Sequence, residues 1–194
     1  MAVPANAQAE GIVGFRSARF GMTEEEVLAA IEADFGIAAW AASRVVQPVE
    51  KTTSLVIKID SLVADTGVVE IAYLLGYRSK RLMQVNMLWR QPPGALDGSA
   101  RLARAAAVMI RRFALQRFPR DESVENTVLE DGSILVFRAG DNRGRIAIIR
   151  LKERNGSGDT SKAMTSRDEG SWLRVSLIEH VVAPDIFRIE PGQF

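Results

Sequence analysis

His180 is the only histidine in this 194-residue chain, and there is no cysteine. The two counts remove thiolate nucleophiles, disulfides and Cys-ligated zinc, and they leave Ser-His-Asp hydrolysis and imidazole acid–base work a single candidate base. His180 stands beside Glu179 in a segment that reads as a strand. Neighbours in a strand point to opposite faces, so Glu179 is badly placed to orient the ring, and His180 is read as a structural or exposed residue. Asn155-Gly-Ser-Gly-Asp-Thr-Ser-Lys162 has the residue types of a phosphate loop. A Walker loop, however, needs Gly directly before the Lys, so that backbone N–H groups converge on phosphate at a helix start, and Ser161 holds that place. Ser161 also replaces the third glycine of a G-x-G-x-x-G reading, which leaves a surface loop. Carboxylates are plentiful, but paired acid–base chemistry depends on separations in space, and Glu24, Glu25 and Glu26 are explained by the positive end of a helix dipole. No catalytic, cofactor-binding or metal-ligating residue is assigned, and no cofactor is expected.

What remains is charge and aromatic surface. Arg101, Arg104, Arg111 and Arg112 cluster on one side of an expected helix, and Arg117 and Arg120 extend the set. The first four are the candidate partner-binding residues, suited to an acidic protein or, through peripheral membrane association, a lipid headgroup. Nucleic acid is not expected. The 25 Lys+Arg and 24 Asp+Glu nearly cancel, and neither a basic domain nor an RNA-binding aromatic motif is present. Trp40, Trp89 and Trp172 are expected in the core or at an interface.

The elements that position these residues follow from periodicity and punctuation. Thr23 to Gly36 reads as a helix with both ends marked: Thr23 as N-cap, Glu26 completing a capping box, Met22 and Val27 at the hydrophobic-staple positions, and Gly36 as the left-handed terminator. Val27, Leu28, Ile31 and Phe35 give it one apolar face. Strands are expected over Thr53–Leu62, Val68–Leu75 and Arg81–Trp89, the last two as an antiparallel hairpin. Gln91-Pro-Pro-Gly94 breaks the chain. A second helix over about Ser99 to Phe118 then buries Leu102, Ala106, Met109, Ile110 and Phe113. Asp131-Gly132 signals a hairpin of the type I′ kind between Thr127–Leu129 and Ile134–Phe137. A turn at Gly140–Gly144 feeds the strand Arg145–Leu151, residues Glu153–Ser171 form a polar excursion, and Trp172–Val182 is the last strand.

The fold class expected is therefore α+β, antiparallel sheet with two main helices packed on one face, in two α-then-β halves at 10–91 and 95–194 of a single domain spanning 10–194. Ala7-Gln-Ala9 has the A-x-A form of a signal-peptidase site, so residues 1–9 are expected to be a signal-peptide remnant or a disordered tail ahead of an exported, periplasmic domain. The longest apolar runs are far shorter than the ~20 residues that cross a bilayer as a helix.

Phe20-Gly-Met-Thr-Glu-Glu-Glu-Val-Leu-Ala-Ala-Ile31 resembles the helix-opening signature of the BamE/SmpA-like bacterial envelope proteins, in which a Gly-Met-Thr-x-x-Glu-Val segment precedes an antiparallel sheet. The stretch covers under a tenth of the chain, which also lacks that family's lipidated Cys. The resemblance implies a non-enzymatic, envelope-located scaffold or assembly module with a protein partner, and it assigns no binding residues. The alternative expectation is a small-molecule or lipid carrier, with a pocket between sheet and helices near Trp89 and Met109.

Overall fold

The computed structural model describes residues 11–92, 94–114, 120–123, 126–153 and 170–189. Ala7–Ala9, Arg117 and the Asn155–Lys162 loop lie outside these residues, as does the Arg120 side chain. A two-stranded hairpin, β1 (Gly14–Phe15) and β2 (Ala18–Arg19), leads into α1 (Glu24–Phe35). A short 3-10 turn (Ala39–Ala41) follows, and then a meander of β3 (Ser43–Val46), β4 (Thr53–Ile59), β5 (Val69–Leu75) and β6 (Leu82–Gln91). The second half repeats the order: α2 (Gly98–Ala114), then β7 (Arg120–Ser123), β8 (Thr127–Val128), β9 (Ile134–Gly140), β10 (Ile146–Lys152) and β11 (Ser171–Ile178).

Everything from β3 onward joins one antiparallel sheet in the order β3-β4-β5-β6-β11-β10-β9-β7, with β8 also pairing β9. The last strand of each half meets its counterpart at the centre, β6 against β11, in an unbroken register from Ser171↔Gln91 through Val175↔Met87 to Ile178↔Gln84. Two α-then-β halves thus share one sheet and one core. Alternation decides which residues face inward. Leu55 and Ile57, Val69, Ile71 and Tyr73, Val85, Met87 and Trp89, Leu173, Val175 and Leu177, Ala147 and Ile149, and Phe137 and Ala139 form a single buried cluster. Val27, Ala30 and Ile31 of α1 join it, as do Leu102, Ala105, Ala106, Met109 and Phe113 of α2. Both helices therefore cover the same face of the sheet. The fold is α+β with antiparallel sheets.

Helix α1 forms as its ends dictate. The Glu26 N–H donates to Thr23 Oγ1 at 3.3 Å, and the Thr23 N–H donates to Glu26 Oε2 at 2.8 Å, closing both halves of the capping box. Gly36 takes φ 67° and donates its N–H to the Glu32 carbonyl. Because the Thr23 hydroxyl satisfies a helix-end donor, Thr23→Ala should cost about 1 kcal/mol of stability, read as a lower urea midpoint at unchanged m-value.

Three expectations need correction. The Asp131-Gly132 hairpin is not type I′, which needs positive φ at both central residues, and among its residues only Gly132 (φ 73°) has it. Leu129 and Ser133 instead close a three-residue loop, with the Leu129 N–H donating to the Ser133 carbonyl and the Gly132 N–H to the Leu129 carbonyl. Gly144 (φ 76°) ends the β9–β10 loop in the same way. Second, β11 stops at Ile178, four residues before the expected end. Third, β3 and the β1–β2 hairpin were not anticipated: four residues and two-residue strands are too short to show a period. No helix among the described residues is long and apolar enough to cross a membrane.

Candidate functional site

With α1 and α2 on one face, the other face of the sheet carries no helix among the described residues. Its outward residues near the centre come from three strands brought together only by register. Across β6, β11 and β10 one row reads Arg90, Trp172, Lys152 and the next reads Leu88, Arg174, Arg150. Four cations therefore surround the Trp172 ring. The Arg150 and Arg174 guanidinium carbons lie 5.8 and 5.5 Å from the ring centroid, within cation–π range. These residues, with Gln91, Pro92, Asp131, Gly170 and Ser171, line an open cavity of about 740 Å³.

The charges are unevenly paired. Arg150 donates from Nη2 to Asp131 Oδ2 at 2.6 Å and to Ser133 Oγ at 2.7 Å. Arg90 approaches Glu70 at 3.9 Å, a loose surface pair. Arg174 has no ion pair among the described residues, although Arg150 stands directly opposite it on the next strand. Like charges in that position repel. Loss of hydration at the sheet surface, then the Arg150 and Arg90 charges, lower the Arg174 pKa. A guanidinium that keeps its charge in such a place, over the Trp172 ring and without a carboxylate among the described residues, presents its planar fork of donors to an incoming carboxylate or phosphate.

Asp131 accepts from the Ser133 hydroxyl (2.7 Å) and backbone N–H (3.1 Å), and these two bonds, followed by Arg150, pull its pKa down from 3.8 to about 2. It stays ionised and serves as an acceptor that fixes Arg150. Since the folded-state value lies below the ordinary one, this anchoring stabilises the protein above about pH 4 and is lost as pH falls toward 2. The Asp131 carboxyl carbon should accordingly titrate near pH 2 by NMR, and Arg150→Ala or Ser133→Ala should move that midpoint upward.

Arg101, Arg104, Arg111 and Arg112 all lie exposed on α2. At about 100° per residue they fall within a sector of roughly 100°, with Val108 among them. None of the four has an ion pair among the described residues. Arg112 also lines a cavity of about 260 Å³ with Arg16 and Arg19. This basic stripe is on the helix-covered side, away from the Trp172 cluster, so the described residues form two separate cationic surfaces. Trp89 and Met109 belong to the buried cluster. Trp40 is 88% exposed, which removes the core from its two expected places and leaves an interface. His180 is exposed beyond the end of β11, its Nε2 4.0 Å from Glu179 Oε1.

The Trp172 cluster was missed because its members are scattered from position 88 to 174 and only the β6–β11 and β10–β11 pairings gather them. A signal was nonetheless present. Arg150 and Lys152, and Trp172 and Arg174, share the outward parity in strands whose other parity is apolar. In comparison with known proteins, the chain matches no family model, no curated protein and no solved structure.

Proposed function

We propose that this chain is a non-enzymatic binding module, exported to the periplasm, whose helix-free sheet face docks a protein partner of the cell envelope through an acidic group seated on Arg174. The observation that carries the reading is the set of four cations around Trp172, with Arg174 held against Arg150 and, among the described residues, without a carboxylate of its own. Such an arrangement is unfavourable alone and favourable once an anion arrives. Around it the same face offers half-buried apolar side chains, including Ile148 and Ile178, able to be covered by a partner. The one carboxylate at the cavity wall among the described residues, Asp131, is occupied in positioning Arg150, which suits recognition rather than proton transfer. Export is supported by Ala7-Gln-Ala9, and an envelope setting by the resemblance of Phe20–Ile31 to the BamE/SmpA-like signature.

A photo-crosslinking residue at Ile148, expressed in the native host and followed by fractionation, tests this. The expected result is one dominant crosslinked protein in the periplasmic fraction, lost when Arg174→Glu is added. Cytoplasmic protein, or a crosslink indifferent to Arg174, would overturn it.

A further inference from the structure

Among the described residues, the edge of the sheet at β3 is open. Strand β3 pairs with β4 alone, through Ser43↔Val56, Arg44↔Leu55, Val45↔Ser54 and Val46↔Thr53. The Gln47 N–H donates to the Thr52 carbonyl at 2.9 Å, which marks Gln47, and by alternation Val45 and Ser43, as the residues bonded to β4. Arg44 and Val46 accordingly direct their N–H and C=O groups away from the sheet. Natural edges are usually guarded by lysine, proline or a bulge. Here Pro48 lies beyond the strand, Arg44 is turned to Glu24 at 2.9 Å, and Trp40, Val45, Val46 and Val49 are all exposed around the edge.

We infer that β3 pairs with β3 of a second copy, antiparallel about a two-fold axis through Val45. The sequence of the strand selects this occupant and this register. Centred on Val45, the pairing sets the outward groups of Arg44 opposite those of Val46 in the partner subunit, and Val46 opposite Arg44, so that four backbone hydrogen bonds close. Val45 meets its own copy as a close, non-hydrogen-bonded apolar pair on the helix-free face. Sliding the register one way sets Arg44 against its own copy, and sliding it the other way places Pro48, which has no N–H, opposite Arg44. Only the Val45-centred register avoids both faults, and the contact is isologous, as a closed dimer requires. It joins two sheets edge to edge and leaves the Trp172 clusters of both copies accessible.

The absence of cysteine makes the test clean. In the full chain, Val45→Cys should form an interchain disulfide rapidly under mild oxidant, because a non-hydrogen-bonded antiparallel pair brings Cα atoms to about 4.5 Å, within disulfide reach. Val49→Cys, exposed but off the axis, should crosslink at least tenfold more slowly. By sedimentation velocity the unmodified protein should pass from monomer to dimer with rising concentration. Val45→Lys and Val45→Glu should each be monomeric, while an equimolar mixture of the two should recover the dimer. Recovery in the mixture excludes misfolding as the cause of dissociation. A protein monomeric throughout the concentration range, a dimer that Val45→Lys leaves intact, or equal crosslinking at positions 45 and 49 would overturn the inference.

Discussion

Arg174→Glu should yield a protein that is more stable and no longer docks the proposed partner. In the folded chain Arg174 faces Arg150 across the β10–β11 pair and feels the Arg90 charge, while its guanidinium stands over the Trp172 ring. Replacing a repelling cation with a carboxylate converts that repulsion into attraction, worth about 0.2–1 kcal/mol for a cross-strand pair. The urea midpoint should rise accordingly. Docking should respond in the opposite sense and more strongly. A charge-assisted hydrogen bond is worth roughly 1.5–3 kcal/mol, and reversing the charge adds repulsion to its loss, so crosslinking from Ile148 should require about 100-fold more partner or disappear. Arg90→Glu, at a more exposed position already near Glu70, should weaken docking by less than tenfold. The divergence of stability and binding is the decisive outcome. If Arg174→Glu lowers both together, Arg174 is a structural residue and the proposed site fails.

How much could be read in advance depends on how local the determining physics is. The capping box at Thr23–Glu26 and the terminating Gly36 are contained within a dozen residues, and both formed as expected. The strands Thr53–Leu62 and Arg81–Trp89 were legible from a period of two, which in the first also marks Leu55 and Ile57 as the apolar side; in the second the period leaves open which side is inward, and the structure buries Val85, Met87 and Trp89. The type of the Asp131-Gly132 turn was not legible, because one glycine serves equally as half of a type I′ turn or as the left-handed residue of a three-residue loop. The choice fell to the Leu129–Ser133 closure. The β6–β11 pairing was hidden for a deeper reason. It joins residues 80 to 94 positions apart, and apolar strands of similar pattern can pair in many orders. Consequently the α2 arginines, a local pattern on a helix, were noticed, whereas the Trp172 cluster, assembled across three strands, was not. The shared outward parity of Arg150, Lys152 and Arg174 was visible, but without the strand order it could not be recognised as one surface.

The same central pairing sets the largest stability effects. Trp89 lies between Val69 and Leu173 in register and is fully buried, so Trp89→Ala should cost about 3–5 kcal/mol and leave a marginal domain largely unfolded at 37 °C. Size alone does not govern this layer, however. The Trp89 Nε1 and the Tyr73 hydroxyl are both buried with no hydrogen-bond partner among the described residues. An orphaned buried donor costs roughly 1–3 kcal/mol, so Tyr73→Phe, which removes the hydroxyl and keeps the ring, should stabilise the protein by about that amount. The pH dependence separates this cause from improved packing. Burial raises the Tyr73 pKa, with the Asp34 charge adding to it. The unfolded chain therefore gives up the phenolic proton at about pH 10 while the folded protein still holds it, and stability declines as pH rises above that point. Tyr73→Phe should flatten the decline between pH 10 and 11.5, whereas Trp89→Phe, with no titrating group, should leave its slope unchanged. A variant at position 73 that gains nothing at pH 7 and keeps the alkaline slope would mean that the hydroxyl has found a partner such as water.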